Sequence, residues 1–228
     1  MAQMLPSRHF PPAASARREG LLAVGGRLDP DWLLDAYSHG IFPWPFRDQT
    51  LAWWSPDPRA VIEFDRLIVS RRLARTCRGQ RFTVTCNQDF AGVVRGCATA
   101  QDRGEETWIV PEMRMAYQEL HRLGYAHSIE VWHQGQLAGG TYGVAIGGLF
   151  AAESMFHYVT DASKVALVCL VRHLRSRGFQ LLDIQQLTPH TASLGASEIR
   201  RSAYLTRLAA AIDLPVTFGT ELSGNERV

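Results

Sequence analysis

Alternating runs of apolar and polar residues predict a chain of mixed helices and strands. A short helix is expected after Asp29, which can cap it, because Pro30 suits its first position and Gly40 can end it. From Val61 onward, the periodicity switches repeatedly between helical and extended. Helices are predicted at residues 71–78, 90–98, 111–123 and 164–177, with a strand at 81–87.

Three consecutive strands form the clearest part of this pattern. The pairs Gln134-Gly135 and Gly147-Gly148 separate them, and both pairs suit tight hairpins between antiparallel strands. The three strands are predicted at residues 128–133, 137–146 and 149–156.

A helix and one further strand complete the pattern. Either Asp161 or Ser163 can cap the helix, and Gly178 can end it. Three antiparallel strands, a helix and another strand are typical of GNAT-like acyltransferases. We therefore predict an α+β fold, with a small N-terminal domain at residues 1–60 and a GNAT-like domain at 61–228.

The last strand, in the stretch GFQLLDIQQL, carries two polar residues in an apolar run. Residues two apart in a strand face the same side, so Asp183 and Gln185 are expected to stand next to each other. An acid and an amide on one face of an apolar strand are a candidate functional pair. A polar pair satisfied by neighbouring backbone groups is the alternative.

An aromatic loop lies at residues 41–46, IFPWPF, where two prolines fix the backbone around Trp44. Such a stiff loop suits either a stacking platform or packing between domains. The following stretch WWSPDP, residues 53–58, is predicted to be a turn-forming junction between the two domains.

The basic residues of the chain indicate a candidate surface for binding phosphate groups. Every one of the 24 basic residues except Lys164 is an arginine. Some of these arginines form a cluster without an intervening acid, and three of them follow helical spacing. The cluster is either a solvated helix face or a phosphate-binding surface. Its members are Arg71, Arg72, Arg75, Arg78 and Arg81.

Several classes of protein are disfavoured. The longest apolar run, residues 165–171, is too short to span a bilayer, and residues 1–20 lack the apolar core of a signal peptide, so a cytoplasmic protein is expected. Four cysteines without metal-ligand spacing are expected in the core, with no metal site. There is no phosphate-binding GxxxxGK[ST] loop and no Gly-x-Ser-x-Gly elbow. Residues 157–163, HYVTDAS, lack the glycines that coenzyme A would need.

Seven sequence blocks match one known family in order, between about residues 20 and 205. The chain thereby resembles leucyl/phenylalanyl-tRNA-protein transferase. The blocks are GLLAVGGRLDP followed by YSHGIFPW, then WWSPDPRAV, TWI at residues 107–109, AHSIEVW, ESMF, ASKVAL, and LLDIQ followed by HTASLGASEI.

The resemblance implies an enzyme that moves leucine or phenylalanine, and also methionine, from aminoacyl-tRNA to the N-terminal Arg or Lys of a protein. The new peptide bond marks that protein for degradation. Such an enzyme needs no cofactor, and its partners are aminoacyl-tRNA and acceptor proteins; we expect a monomer. Two alternatives are a small-molecule N-acyltransferase of the GNAT type and a non-catalytic RNA-binding protein.

The resemblance also implies site residues. It makes Asp183 and Gln185 a catalytic pair, in which the Gln185 amide donates to the Asp183 carboxylate while its carbonyl accepts the amine proton. Replacing Asp183 by alanine should then slow transfer and leave folding intact. Glu153 is the third catalytic residue, which orients the amine or meets the acceptor's cationic side chain. Pairing of Glu153 with an arginine is the alternative.

Substrate contacts follow from the same resemblance. Trp44 and Trp108 match positions around the terminal adenosine of the tRNA, where stacking contributes about 1–3 kcal/mol per base. The arginine cluster would hold phosphates of the acceptor stem. The remaining substrate-binding positions, in the ESMF block and in the pocket for the donor side chain, are Ser154, Phe150, Leu167 and Leu182.

Three positions depart from the family pattern. Ala152 replaces the usual glycine before ESMF, which puts the backbone next to Glu153 in doubt. Thr141 replaces a larger apolar residue of the donor pocket and can alter the preference between leucine and phenylalanine. Arg200 replaces a proline, a change expected to affect only the start of the last helix.

Overall fold

A computed structural model describes residues 5–100 and 107–222 of the chain. Its strands are β1 (Leu21–Val24), β2 (Phe42–Pro43), β3 (Ala52–Trp54), β4 (Arg59–Ile62), β5 (Thr83–Cys86), β6 (Ala126–His133), β7 (Gln136–Ile146), β8 (Leu149–His157), β9 (Leu181–Gln185) and β10 (Ser197–Ile199). Its α-helices are α1 (Pro30–Ser38), α2 (Arg71–Arg78), α3 (Phe90–Thr99), α4 (Pro111–Arg122), α5 (Ala162–Arg177), α6 (Pro189–Ala192) and α7 (Arg201–Ile212). The predicted α+β class is confirmed.

The N-terminal region contains a small sheet in the order β1-β3-β2. Helix α1 precedes β2, and the Asp29 side chain caps α1 by accepting from the Trp32 N–H, as the sequence predicted. Pro43 lies in β2 at the edge of this sheet, where a residue without an N–H is tolerated. The prediction that residues 53–58 are all turn was wrong for Trp53 and Trp54, which lie in the central strand β3.

A second sheet has seven strands in the order β10-β4-β9-β8-β7-β6-β5. The predicted antiparallel meander is present as β6, β7 and β8. Gln134 and Gly135 both have positive φ values, 52° and 77°, as a tight hairpin between β6 and β7 requires. Helix α5 then leads to β9, which pairs with β8 in parallel. The predicted order of strands and helix is confirmed.

Helix α5 packs its apolar residues into the core beneath the sheet. Gly178 ends the helix at φ 87°, as predicted. Asp161 occupies the N-cap position at φ 75°, but its side chain does not cap the helix. Its carboxylate instead accepts a hydrogen bond from Arg72 at 3.0 Å, so α5 begins without a side-chain cap.

One apolar cluster joins the two sheets. Tyr37 and Trp53 from the N-terminal region pack in the same cluster as Tyr117 and Tyr142 from the larger region. The phenol oxygens of Tyr37 and Tyr117 lie 2.7 Å apart. The domain boundary at residue 60 stays a prediction. The four cysteines are buried, as expected for core residues.

Strands β8 and β9 separate part-way along their length. Their register pairs Leu149 with Leu181, Phe150 with Leu182, and Ala151 with Asp183. Beyond this point each strand contains an extra residue relative to its antiparallel neighbour, Glu153 in β8 and Ile184 in β9. These bulges bend the strands apart, and a cleft opens where the parallel pair ends.

Among the described residues, none of the helices has the length and apolar character needed to cross a bilayer. No group of three potential metal ligands occurs in those same two stretches of chain.

Candidate active site

A cavity of about 620 Å³ occupies the cleft between the diverging ends of β8 and β9. The carboxyl ends of parallel strands are a common place for ligand sites in α/β sheets, because the strands leave a crevice there. The cavity is lined by Trp44, Ala100, Thr107, Trp108, Thr141, residues 152–157, Ser163, residues 184–186, Thr188, His190 and Thr191.

Among the residues that the structure describes, Glu153 is the only acid in this lining. Glu153 is the extra residue of the β8 bulge, so its side chain does not follow the regular alternation of side chains between the two faces of the sheet. Its Oε2 accepts a hydrogen bond of 2.7 Å from the Tyr117 hydroxyl, and its Oε1 accepts one of 2.8 Å from the Gln185 amide. Burial raises the pKa of Glu153 to about 7 and outweighs these hydrogen bonds, which favour the charged form. The predicted alternative of an arginine partner for Glu153 is not what these contacts show.

Gln185 does not contact Asp183 in the predicted way. Its side-chain amide donates to Glu153, whereas the Asp183 Oδ1 accepts from the backbone N–H of Gln185 at 2.8 Å. The prediction failed because Gln185 has a left-handed backbone, φ 62°, and Ile184 is bulged, so the two-residue alternation of a regular strand does not apply.

Asp183 is fully buried and does not line the cavity. Arg59 donates to it twice, from Nε to Oδ1 at 2.9 Å and from a terminal nitrogen to Oδ2 at 2.6 Å. The Tyr204 hydroxyl donates to Oδ2 at 2.9 Å. Asp183 therefore influences the cavity only indirectly, through the hydrogen bond that fixes the Gln185 backbone.

Arg59 is a residue that the sequence analysis missed. Its guanidinium lies between the rings of Phe42 and Tyr204, 4.7 and 4.6 Å from their centroids, and donates to the Gly40 carbonyl at 3.2 Å. Burial opposes its charge, but the Asp183 carboxylate raises the pKa of Arg59 above its ordinary value. The sequence feature that could have indicated a buried role for Arg59 is its position at the start of the apolar run RAVI.

Trp44 and Trp108 meet on the cavity wall. Their rings are stacked on each other, with centroids 4.8 Å apart and planes inclined by 20°. The Trp54 indole donates to the Trp44 carbonyl at 2.8 Å and fixes the loop. The structure thus brings together two tryptophans that are 64 positions apart in the sequence.

The other substrate-binding positions divide into two groups. Ser154 and Thr141 line the cavity, and the Thr141 hydroxyl donates to the Ser154 carbonyl at 2.9 Å. In contrast, the three residues predicted for the donor side chain lie together in the core and are not among the lining residues. Their predicted role requires that the cavity floor open toward Phe150, Leu167 and Leu182 when a donor binds.

The arginine cluster is exposed. Ser70 caps α2, and the helix buries its apolar face, Leu73 and Cys77. The arginine side chains lie on the opposite, exposed face. Arg72 contacts Asp161, and this contact places α2 against the start of α5 beside the cavity. All five predicted arginines, Arg71, Arg72, Arg75, Arg78 and Arg81, are exposed.

Two cavity-lining histidines, His157 and His190, were also missed. His190 belongs to the block HTASLGASEI and lies in the short helix α6, but a single histidine there has no distinguishing sequence pattern. Burial lowers the pKa of His190, and the charges of Lys164 and His157 lower it further.

Family models match most of the chain. The model for leucyl/phenylalanyl-tRNA protein transferase matches residues 61–209, and the model for the N-terminal domain of the same family matches residues 26–57. The chain belongs to this family. The resemblance stated from the sequence blocks is confirmed, and with it membership of a transferase family.

Named relatives agree with this assignment. A leucyl/phenylalanyl-tRNA–protein transferase of Pseudomonas paraeruginosa is 54% identical over 197 residues, which cover 86% of this chain and 87% of the relative. One from Solidesulfovibrio magneticus is 52% identical over 203 residues, 89% of this chain and 82% of the relative. Among solved structures, a GCN5-related N-acetyltransferase from Kribbella flavida is 12% identical with a TM-score of 0.38, covering 74% of this chain and 60% of that one.

Proposed function

We propose that this protein transfers leucine or phenylalanine from aminoacyl-tRNA to the N-terminal Arg or Lys of an acceptor protein. The observation that carries the proposal is the buried pair of Glu153 and Gln185, 2.8 Å apart, in a cavity whose wall holds two stacked tryptophans. This pair can handle the proton of an amine, and the tryptophans can receive the base of the donor's last nucleotide.

The donor explains why the site can be simple. An aminoacyl ester is already activated, so its transfer to an amine needs no further energy source. A free α-amino group has a pKa of about 7.7–8.0, so a useful fraction is nucleophilic near neutral pH. The protein must therefore position the amine and manage one proton.

Glu153 is the group proposed to receive that proton. The amine nitrogen attacks the ester carbonyl carbon, and the proton leaves the nitrogen for a Glu153 oxygen. As the bond from the carbonyl carbon to the ribose oxygen breaks, the same proton passes to that leaving oxygen. A carboxyl group with a pKa of about 7 suits both halves of this exchange.

Gln185 and Asp183 are proposed to assist Glu153, Gln185 by direct contact and Asp183 by holding Gln185 in place. The Gln185 amide donates to Glu153, and its side-chain carbonyl remains available to accept from the incoming amine. Asp183 is a positioning residue, because it holds the Gln185 backbone and is itself fixed by Arg59. The proposal thus uses the three residues expected from the sequence, but it makes Glu153 the proton acceptor and Asp183 a positioning residue.

The two substrates are proposed to approach from different sides. The terminal adenosine stacks near Trp44 and Trp108, and the exposed arginines of α2 hold phosphates farther along the tRNA. An apolar donor pocket discriminates by only about 1–3 kcal/mol per methylene, so leucine, phenylalanine and methionine are all acceptable donors. The reaction would take place in the cytoplasm, where charged tRNA is found, and a monomer would suffice.

One assay tests the activity. The protein is incubated with leucyl-tRNA and a peptide that begins with arginine, and the peptide is analysed by mass spectrometry. One added leucyl residue, abolished by prior RNase treatment, is the expected result. Acetylation from acetyl-coenzyme A would instead identify a small-molecule N-acyltransferase. Binding of tRNA without any product would identify a non-catalytic RNA-binding protein.

A further inference from the structure

The segment that follows α7, residues 214–222, is held against the larger sheet by side chains. We call it the C-terminal strap; it contains no helix or strand. Four successive carbonyls of the strap, those of residues 217–220, each accept a hydrogen bond from a side chain. The donors, in the same order, are Arg177, His173, Asn87 and Cys86, at 2.9, 2.8, 3.3 and 3.4 Å. A segment held in this way can shift without breaking a strand ladder.

Phe218 anchors the strap in the core. Its side chain is buried and stacks on the ring of His127, with centroids 4.3 Å apart and planes inclined by 9°. Burial lowers the pKa of His127 to about 4, so this ring is neutral near pH 7. The ring of Phe218 also meets that of Phe150, with centroids 5.6 Å apart. Phe218 thus joins the strap to strand β8.

Phe150 connects Phe218 to the wall of the cavity. It precedes Ala152 by two residues in β8, so the two side chains lie on the same face of the sheet, and Ala152 lines the cavity. Both pack in one apolar cluster with Phe218, and so do two further lining residues, Met155 and Ile184. The apolar wall of the cavity is therefore continuous with the core around Phe218.

The ring of Phe150 has little room on the sheet side. It lies directly over Gly143 of β7, where an added Cβ would stand 2.5 Å from a ring carbon of Phe150. Protein cores are close-packed, so a bulky group that presses on Phe150 from the cavity must displace a neighbour. The neighbour held only through the strap is Phe218.

We propose that Phe218 limits the depth of the compartment for the donor's side chain, and that the strap shifts outward when phenylalanine occupies it. The inference rests on the proposed function, because it assigns the apolar wall of the cavity to the transferred amino acid. Phe218 lies outside the cavity lining and acts through Phe150, so it is a specificity-determining residue and not a catalytic one.

Donor preference tests this role. One tRNA is charged with either leucine or phenylalanine, so that the two donors differ only in the transferred side chain, and the acceptor is a peptide that begins with arginine. Phe218→Ala removes the ring behind Phe150 and should raise the ratio of kcat/KM for phenylalanine over leucine roughly tenfold. Phe218→Leu preserves more of the core and should give a smaller rise of the same sign, which can be measured even if Phe218→Ala does not fold.

Phe90→Ala is the matched control. Phe90 is also buried, and its ring also stacks on a histidine, His121, at 4.3 Å. It packs, however, in the cluster that contains Ala151, on the opposite face of β8 from Phe150. Its loss should cost comparable core packing and keep the wild-type ratio. An equal rise in Phe90→Ala and Phe218→Ala would show general loosening of the core and overturn the specific role of Phe218.

Movement of the strap has its own readout at Cys86. This thiol is buried and donates to the Thr220 carbonyl of the strap. Alkylation by iodoacetamide is followed at each cysteine by mass spectrometry. The amide-linked analogue of phenylalanyl-adenosine should speed alkylation of Cys86, and adenosine should not. Cys97, which is buried in the cluster on the other face, is the internal reference.

The outcomes separate this inference from the proposed function. If both Phe218 variants keep the wild-type ratio, or if the analogue leaves the alkylation of Cys86 unchanged, the role of the strap is overturned while the transfer activity stands. If the wild type transfers neither amino acid from tRNA, the proposed function fails and the inference fails with it.

Discussion

The amide nitrogen of Gln185 lies 2.8 Å from Oε1 of Glu153 and donates a hydrogen bond to that carboxylate, whose Oε2 accepts one from Tyr117. The contact joins the bulged residue of β8 to the left-handed residue that ends β9, across the point where the two strands part. It makes Glu153, and not Asp183, the acid that faces the cavity.

Replacing Glu153 by glutamine should reduce kcat/KM for transfer by about a hundredfold, the lower range for loss of a general base. Because the pKa of Glu153 is raised to about 7, wild-type activity should rise with pH through that value as the carboxylate forms. The variant should keep only the rise that belongs to the acceptor amine. The measurement is a pH profile of kcat/KM between pH 5.5 and 9, values chosen to bracket both pKa values.

Glu130→Gln provides a matched control for that profile. Glu130 is a buried glutamate of the same sheet, bonded to Thr85 and Ser128 and absent from the cavity lining. Its variant should retain the rise through pH 7. If Glu153→Gln also retained it, Glu153 would not be the proton acceptor.

Arg59 and Asp183 should be strongly coupled in stability. Removing one partner leaves the other charge buried without its counter-charge, so Arg59→Met and Asp183→Asn should each reduce the free energy of unfolding by about 3–5 kcal/mol. The double variant should lose much less than the sum. Urea denaturation of the four proteins measures the coupling, and additive losses would contradict it.

This prediction replaces the expectation that Asp183→Ala leaves folding intact. Asp183 is fully buried and accepts hydrogen bonds from Arg59, Tyr204 and the Gln185 backbone. A loss of activity in any Asp183 variant must therefore be measured at a temperature where the variant is folded.

Trp44→Ala and Trp108→Ala should each raise the KM for 3′-leucyl-adenosine about tenfold, within the range for one base stacked on an aromatic ring. Either change removes half of a stacked pair and so also loosens the ring that remains. Phe46→Ala, which removes an exposed ring from the same loop, should leave this KM near the wild-type value. Equal effects of all three changes would point to loop folding and not to stacking.

Arginines of α2 should contribute to tRNA binding mainly through phosphates. Arg75→Gln and Arg78→Gln should each lower the slope of log affinity against log salt by roughly one, because each neutralises about one phosphate. Fluorescence anisotropy with labelled tRNA at several salt concentrations measures this slope. Arg122→Gln is the control, since Arg122 is paired with Glu119 on another helix; an unchanged slope in the α2 variants would place the tRNA elsewhere.

Local sequence signals predicted much of the fold. Asp29 and Gly178 mark helix ends because capping depends on a few neighbouring residues, and the two residues Gln134-Gly135 between apolar runs favour a tight hairpin. These features need no knowledge of distant parts of the chain. For the same reason the order of strands and helices in the larger sheet could be predicted.

The contacts within the site could not be predicted in this way. The bulge at Ile184 and the left-handed backbone of Gln185 turn the Gln185 side chain away from Asp183. Neither isoleucine nor glutamine is a residue type that predicts such a backbone. Arg59 meets Asp183 across 124 positions of sequence, so no local pattern connects them. The resemblance supplied Glu153, Asp183 and Gln185 as a set, but the contact that it implied between the Gln185 side chain and Asp183 is not the one present.

Arg59 also has a practical consequence for dividing the chain. Its guanidinium contacts the Gly40 carbonyl and the Phe42 ring of the N-terminal region. On its other side it binds Asp183, in the strand that also carries Gln185. A fragment that begins at Ala60 would bury an acid without its counter-charge, whereas one that begins a few residues earlier would carry the cation with it. Cutting the chain on the N-terminal side of Arg59 would therefore keep this buried cation and its carboxylate in one fragment, which would not depend on the other half to neutralise Asp183.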